Sequence, residues 1–555
     1  MKRTSFVVLL CAALMILSIP AMAATALKAS DAPDHITLTW AGDPTTTQTV
    51  TWRTDSTVKT GYVQYAKAST GNFPTGATQV TATASVCSTD IGNENLHSVT
   101  LTGLTAGEKY TYRVGDGTKW SASHSFTTEA ANTTSFKFLI FGDSQSGEAS
   151  NPEYGPWKTT VQNAYSANPD AKFFVNVGDL VESGYSGAHW DNWFDAASGV
   201  IDTISFMPVQ GNHETYTDAS ENTTAKPVLF TDQFNLPQNG PTGLTGQTYS
   251  YNYGNVHFVV LDSQEAEEAS INGSILAEQS AWLAKDLSAN TQKWTIVLFH
   301  KTMYYNKATR TNEDIKAAFQ PVLDKYHVDV VLNGHDHGYS RTYPIYGDSI
   351  VSSPAKGTVY IVTGRSGNKY YKDLSSKVWD AFFYDPQDEP NYLTAEVDGS
   401  KLTIKSVKQD GTIIDSYAID KSTGTDNPQT IVPAKSTYTR LAIYGDLLQT
   451  PLLTSAPSQI NGKWYLPARS FAAFLGGTIG WNSNDASVSL TISGTTATVK
   501  QNSTLATLSG AAVTLSDTIT KDSSGTTLIS ADDLKQLFGF SYKYDTTTNM
   551  LLFTK

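Results

Sequence analysis

The chain has 555 residues, 40% of them hydrophobic and 16% charged, with a formal net charge of −13. At roughly 100–200 residues per domain, that length predicts about three to five domains, each long enough to build a core. The acidic balance, with no basic stripe, excludes a nucleic-acid-binding surface, so affinity for an anion has to come from local charge such as metal ions.

Residues 1–23 read as a secretory signal peptide. Lys2 and Arg3 form a basic start, Phe6 to Ile19 an apolar core, and Ala21-Met22-Ala23 a small-residue cleavage site. A membrane anchor needs about 20 uninterrupted apolar residues, and Pro20 breaks this run. Loss of Lys2 and Arg3 takes the net charge from −13 to −15. Only Cys87 survives cleavage, so no intrachain disulfide forms, and the lone thiol reads as inert filler. No later apolar run is long enough to span a membrane. The expected location is secreted, with cell-wall association.

Residues 24–128 read as all-β. HITLTWA, TQTVTWRT and GYVQYA alternate apolar with polar residues between turn signals. In LTGLTAGEKYTYRV, residues Leu101, Leu104, Tyr110, Tyr112 and Val114 follow the corner-and-strand pattern of immunoglobulin-like sandwiches, and the segment resembles a fibronectin type III-like module. His35, His97 and His124 bring no companion ligands and are expected to be structural.

After a polar joint, residues 135–420 repeat one construction five times. KFLIFGDSQ ends at Asp143, FFVNVGDLVE at Asp179, FMPVQGNHE at Asn212 and His213, WTIVLFHK at His300, and VDVVLNGHDH at His335 and His337. Each is an apolar, buried-strand pattern with polar residues at its C-terminal tip. In open α/β sheets ligands bind beyond those tips, so the five strands are expected to deliver these side chains to one place. Helical patterns between them, SAWLAKDLSAN and DIKAAFQPVLDKY, predict a layered α/β domain, and GTVYIVTG and the runs near 392–404 and 413–419 add strands. His189, His257 and His327 are expected to be structural, with Trp190 and Trp193 beside His189 as packing anchors.

Residues 421–437 read as a Pro/Thr/Ser linker. Residues 438–555 hold an internal repeat in which Phe471 pairs with Leu534, Phe474 with Leu537, Gly476 with Gly539 and Trp481 with Tyr544 at one offset. Each unit reads as a short helix, a Gly stop, an aromatic residue, a turn and a strand, without His or Cys. The region resembles the small domain named after the copper amine oxidase N-terminus. That resemblance implies a stalk or a wall-binding accessory and no copper chemistry.

The residue types collected by the five strands point to two metals. One carboxylate, Asp179, can hold two cations about 3.5–4 Å apart. Oxygen ligands with imidazoles suit iron, zinc or manganese. Water between such ions loses its proton near neutral pH, and the ions offset charge on phosphoryl oxygens. His213 directly follows Asn212, so it can reach a leaving oxygen as a general acid without binding metal.

GDSQ, GDLVE, GNHE, VLFH and GHDH, in that order, resemble the motif set of the calcineurin-like metallophosphoesterases. With a fibronectin-like domain in front, the chain is most similar to the purple acid phosphatases over roughly Pro33 to Asp420. The resemblance implies an αββα sandwich of two mixed sheets with helices outside. It also implies one metal on Asp143, Asp179 and His337 and the other on Asp179, Asn212, His300 and His335.

The chain departs from the purple enzymes in three places. Glu182 stands where they carry a tyrosine, which predicts a colourless or weakly coloured protein. Gln145 stands where they carry glycine and is a candidate ligand through its amide oxygen. Their extra histidines after VxxH are missing, and MYYNKATR offers Tyr304, Tyr305 and Arg310 instead. Arg310, Tyr304 and Tyr339 are therefore the candidate substrate contacts, Arg310 through a bidentate grip on phosphate.

The favoured reading is a secreted hydrolase of phosphate esters, monoesters before diesters, acting on a phosphorylated small molecule or polymer. The alternatives are a phosphodiesterase or nucleotidase of the same fold, or a wall-polymer-binding protein.

Overall fold

The computed structural model describes residues 29–554 apart from 70–72, 151, 224–225, 308–309, 372–373, 375, 378, 386–388, 430–439, 445–456, 476, 523–524 and 546–549. The signal peptide expected at 1–23 lies outside the described residues.

The N-terminal alternation resolves into two four-stranded antiparallel sheets. Asp34–Thr39, Gln48–Asp55, Gly92–Leu101 and Thr83–Thr89 make one; Thr78–Thr81, Tyr62–Lys67, Lys109–Gly115 and His124–Thr127 make the other. Their apolar faces meet in a core containing Leu38, Val50, Trp52, Val63, Tyr112 and Phe126. Tyr110 Oη accepts the Thr105 N–H at 2.9 Å, the corner bond that LTGLTAGEKY predicts.

The next domain packs two seven-stranded sheets face to face. The first runs Ser205–Pro208, Phe173–Asn176, Ser135–Phe141, Asn391–Asp398, Lys401–Lys408, Ile413–Asp420, Thr425–Gln429. The second runs Tyr249–Tyr253, Val256–Val260, Trp294–Lys301, Val330–Gly334, Val359–Thr363, Tyr339–Thr342, Asp380–Tyr384. The motif strands are the parallel ones in each sheet. They are buried on both faces, which is why they read as unbroken apolar runs.

Rings from the two sheets interlock: Phe138 stacks on Phe173 at 4.9 Å, and Phe258 meets Phe173 edge-on at 5.5 Å. Helices Gly155–Ala167 and Gly187–Ala197 cover the first sheet through Trp157, Val161 and Trp193. Helices Ile275–Ala289 and Glu313–Lys325 cover the second through Leu283, Leu287, Phe319 and Leu323. This is the expected αββα sandwich.

The expected linker starts later than its composition suggests. Thr425–Gln429 pairs antiparallel with Ile413–Asp420 as an outer strand of the first sheet. Its Pro428 is tolerated because an edge strand needs only half its backbone donors. The rest of the linker lies outside the described residues as far as 439.

The internal repeat is visible in the C-terminal domain. Helix Ala468–Phe474 and strands Thr478–Asn482 and Ser487–Ile492 recur as Ala531–Phe538, Ser541–Asp545 and Met550–Thr554. The second helix is capped at both ends. Ser530 accepts the Asp533 N–H at 3.0 Å, and Gly539 closes it at a φ of 77°.

Candidate active site

All five motif tips converge at one edge of the sandwich, and the backbone there is held in unusual conformations. Asp143, Asp179, His335 and His337 have φ values of 51°, 52°, 76° and 59°. A non-glycine residue with positive φ is uncommon and costs of order 1–3 kcal/mol. Four of them at ligand positions mean that the surrounding packing enforces the turns. Glycines let these loops close up: a Cβ on Gly211 would lie 2.1 Å from the Asp179 nitrogen, and one on Gly334 2.7 Å from Asp143 Oδ2.

The side chains form two buried groups with one member in common. Asp179, His300 and His335 make the first, Asp143, Asp179 and His337 the second, and within each the ligand atoms lie within 4.8 Å of one another. His300 Nε2 and His337 Nε2 lie 3.1 Å from Asp179 Oδ2 and Asp143 Oδ1 respectively. Their other nitrogens are spent on the backbone, His300 Nδ1 donating to Val177 O and His337 Nδ1 to Lys369 O, both at 2.9 Å. That fixes the tautomers and turns both Nε2 lone pairs into the cluster.

Charge in the cluster follows from its burial. Desolvation by itself would lower the His300 pKa, but Asp179 more than offsets it and holds the value at about 9. Desolvation would raise Asp179, but His300 and His213 keep it well below the usual carboxylate range. Burial, then Arg310, push His335 well down, so its ring is neutral with Nδ1 3.1 Å from His300 Nε2. Two imidazole nitrogens aimed at each other and at a carboxylate are held together by a shared cation or proton.

The donor set fits cations. Asn212 Oδ1, Gln145 Oε1 and His337 Nε2 are buried acceptors without a hydrogen-bond partner, a costly state that coordination relieves. Asp179 belongs to both groups and is placed to bridge.

His213 lies in neither ligand group. Its N–H donates to Asp179 Oδ1 at 3.0 Å and its Nδ1 to the Glu182 carbonyl at 2.6 Å. Nε2 then faces the cluster, 3.9 Å from Asp179 Oδ2. Gln145 brings its amide head within 3.4 Å of Asp179 Oδ2. Glu182, at the position of the missing tyrosine, turns its carboxylate to the Gly147 N–H at 2.9 Å and to Lys369 Nζ at 2.8 Å.

The expected substrate contacts divide. Arg310 stands at the site, donating to Asp336 Oδ1 at 2.9 Å and to the His335 carbonyl at 2.5 Å, with its guanidinium over the Tyr371 ring. Tyr304 and Tyr339 do not reach it. Tyr304 packs against Tyr360 and Trp379 in the core under the second sheet, and Tyr339 opens a buried strand with its hydroxyl on Asp415 at 2.8 Å. Both sit close to ligands in sequence, but their chain has already turned back into the sandwich.

His189, His257, His97 and His124 have structural partners, as expected: Tyr154, Asp286, Thr54 and Asp202. Burial pushes the Cys87 thiol up to about 12, in keeping with inert filler.

Several site residues escape a reading by motif. Glu214 accepts the N–H groups of Asp179, Val181 and Gly211 at 3.0, 3.1 and 2.7 Å and so ties the bridging loop to the Asn212 loop. Burial, then Asp179, lift its pKa to about 8. Tyr216 lies against His213 and accepts from Asn212 at 3.3 Å. Lys369 and Tyr371 come from a loop after a sixth strand tip, Val359–Thr363. The one available signal was the basic and aromatic run NKYYKD following the apolar VYIVTG.

A double sheet with a shared carboxylate and histidines from successive strand tips is the arrangement of a dinuclear metallophosphoesterase. Residues 136–339 match the calcineurin-like phosphoesterase family, residues 33–128 the purple acid phosphatase N-terminal domain, and residues 449–552 the copper amine oxidase N-terminal domain. Over its first two domains the chain is thus similar to the purple acid phosphatases, and a third, C-terminal domain follows them.

Among curated proteins it is 28% identical over 307 residues to purple acid phosphatase 15 of Arabidopsis thaliana, covering 49% of this chain and 54% of that one. It is 26% identical over 373 residues to probable inactive purple acid phosphatase 1 of the same plant, covering 59% and 58%. The chain therefore spans little more than half the length of these two relatives. The purple acid phosphatase PPD1 of yellow lupin (Lupinus luteus) shares the fold at a TM-score of 0.59 and 22% identity, over 70% of this chain and 74% of that one. The relatives thus include one named as probably inactive.

Proposed function

We propose that this protein is an exported phosphoesterase that hydrolyses phosphate monoesters with two metal ions, drawn from iron, zinc and manganese. The observation that carries the reading is the pair of buried ligand groups sharing Asp179, with His213 held beside them.

Ions held there would activate water and offset phosphoryl charge. The chain's own residues do the rest. Asp143, His337 and the candidate ligand Gln145 would hold one ion, Asn212, His300 and His335 the other, and Asp179 would serve both. The Glu182 carbonyl fixes the His213 ring, and Asp179 Oδ1 holds the His213 backbone N–H. A protonated Nε2 would then face the leaving oxygen and donate to it. Arg310, anchored by Asp336, adds a cation at the rim. Glu182 is turned to Lys369 and Gly147, which supports the expectation of a protein without the tyrosinate colour. The signal-like start of the chain supports export, and the C-terminal domain supports attachment to cell wall.

His213→Ala should keep both metals, measured as metal bound per chain, and lose turnover by about 10²–10⁴-fold. The loss should shrink for esters of acidic alcohols, whose leaving oxygen needs no proton. An equal loss across leaving groups would remove His213 from the acid role.

A further inference from the structure

The loop that follows Val359–Thr363 is bound along the whole first ligand loop. Ser366 N–H donates to Gly142 O at 2.7 Å, Gly367 N–H to Asp143 O at 3.0 Å, and Asn368 N–H to Gln145 O at 3.0 Å. Gly367 leaves no room for a side chain, since a Cβ there would lie 2.3 Å from the Gln145 carbonyl. Lys369, two residues on, is thereby placed by backbone geometry. Its carbonyl takes the Nδ1 proton of His337, a ligand of one metal group. Its ammonium reaches across to the other side of the centre, 2.8 Å from Glu182 Oε1 and 3.0 Å from His213 Nε2.

We infer that Lys369 is a substrate-binding catalytic residue, specific for the dianionic phosphate of a monoester, and that Glu182 is its positioning partner. The inference rests on the phosphoesterase reading and deepens it. His213 Nδ1–H donates to Glu182 O, so in the neutral ring Nε2 accepts from Lys369; when Nε2 carries the proton it gives to the leaving oxygen, that ammonium turns to the substrate instead. An ester oxygen that is to receive a proton from Nε2 must come to that same position. Lys369 Nζ then lies within hydrogen-bond reach of the phosphate, with Glu182 taking one of its three protons and the others turned toward substrate oxygens.

The charge balance of the site argues the same way. Glu182 alone, at 7% side-chain exposure, would repel a phosphate dianion. With Lys369 the pair is neutral, and the more exposed end of the pair, at 23%, is the cation. The protein carries a net charge of −13, so attraction for a dianion has to be made locally. A phosphate diester carries one charge less and gains less from the ammonium.

The test compares wild type with Lys369→Met, Lys369→Arg and Glu182→Gln, each with metal content and melting temperature measured. The probes are p-nitrophenyl phosphate, bis(p-nitrophenyl) phosphate and inorganic phosphate as inhibitor. Loss of one charge-assisted hydrogen bond should raise the monoester KM and the phosphate inhibition constant about 10–100-fold. The diester KM should change by less than about threefold and metal content not at all, and Arg should restore part of the phosphate affinity. Glu182→Gln should fall between wild type and Lys369→Met. Unchanged phosphate affinity in Lys369→Met, with a lowered melting temperature, would reduce Lys369 to a counterion of Glu182 and overturn the inference alone. A metal-loaded wild type that neither cleaves these esters nor binds phosphate would overturn the phosphoesterase reading and this inference together. Should Lys369→Met not fold, Glu182→Gln decides: a phosphate affinity equal to wild type rejects the assignment.

Discussion

The catalytic sandwich carries a domain on each side, and the two are attached by different physics. The N-terminal domain shares its core: Trp40, Cys87 and Leu96 belong to the same buried cluster as Phe173 and Trp193. Polar contacts reinforce the seam. Leu38 N–H donates to Ile201 O at 3.0 Å, Tyr112 Oη to Asp202 O at 2.7 Å, and Gln48 Nε2 to Ser205 Oγ at 3.0 Å. Asp90 accepts the Gly187 N–H at 2.7 Å and so caps, from the neighbouring domain, the helix that follows the Asp179 loop. At the centre of the seam Arg53 bonds Asp34, Glu94 and Asp191. The C-terminal repeat instead closes a core of its own, from Trp464 to Phe553, that contains no residue of the other two domains. The first domain is part of the enzyme's scaffold. The C-terminal repeat, with a core of its own among the described residues, is expected to behave as a passenger with its own stability.

This contrast can be broken most directly at Arg53, which is 2% exposed. Arg53→Ala leaves Asp34, Glu94 and Asp191 facing one another without a cation, and removing one partner of a buried ion cluster costs about 3–5 kcal/mol. Denaturant titration should show that loss in a single transition shared by the sandwich and the catalytic domain, with the C-terminal domain unaffected. Independent unfolding of the N-terminal sandwich would contradict a shared core.

The pH dependence of the same seam sharpens the comparison further. Burial, partly offset by Arg53, raises Glu94 from 4.5 to about 7. A carboxyl with a raised folded-state pKa contributes stability that is complete below about 4.5 and is lost as pH rises through about 7. Melting curves between those limits should therefore show the two-domain unit losing stability as pH rises, with Glu94→Gln flattening the slope. A slope identical in wild type and variant would place the proton elsewhere. The smallest effect is expected from the far side. Deletion of residues 438–555 should change kcat/KM on soluble phosphate esters by less than about twofold, given a separate core. A truncated protein that folds and loses most of its activity would end the description of this domain as a passenger.

Much of the site is legible in the chain because strand ends are local features. KFLIFGD, FFVNVGD and VDVVLNGHDH each specify a buried strand and the residue at its tip within ten positions, and the structure brings all these tips to one edge. The repeat of 438–555 is legible for the same reason, since each unit is short and complete. Legibility fails where neighbours in sequence part company in space. Tyr339 follows His337 by two residues yet lies in a packed strand on Asp415. Thr425–Gln429 has the composition of a linker and becomes a strand because an edge beside Ile413–Asp420 was open to it.

What the sequence determined by itself was the inventory and the architecture: apolar runs of strand length, turns at their ends, and Asp, Asn and His at those turns. These follow from side-chain hydrophobicity and local backbone preference, which act over a few residues. Tertiary structure alone decided that Glu182 faces an ammonium instead of the cluster, and that Lys369 meets His213 across 156 positions of chain. Those outcomes depend on which loops close against each other. Sheet pairing and the fit of backbone on backbone at Gly211 and Gly367 set them, and no short stretch of sequence encodes such meetings.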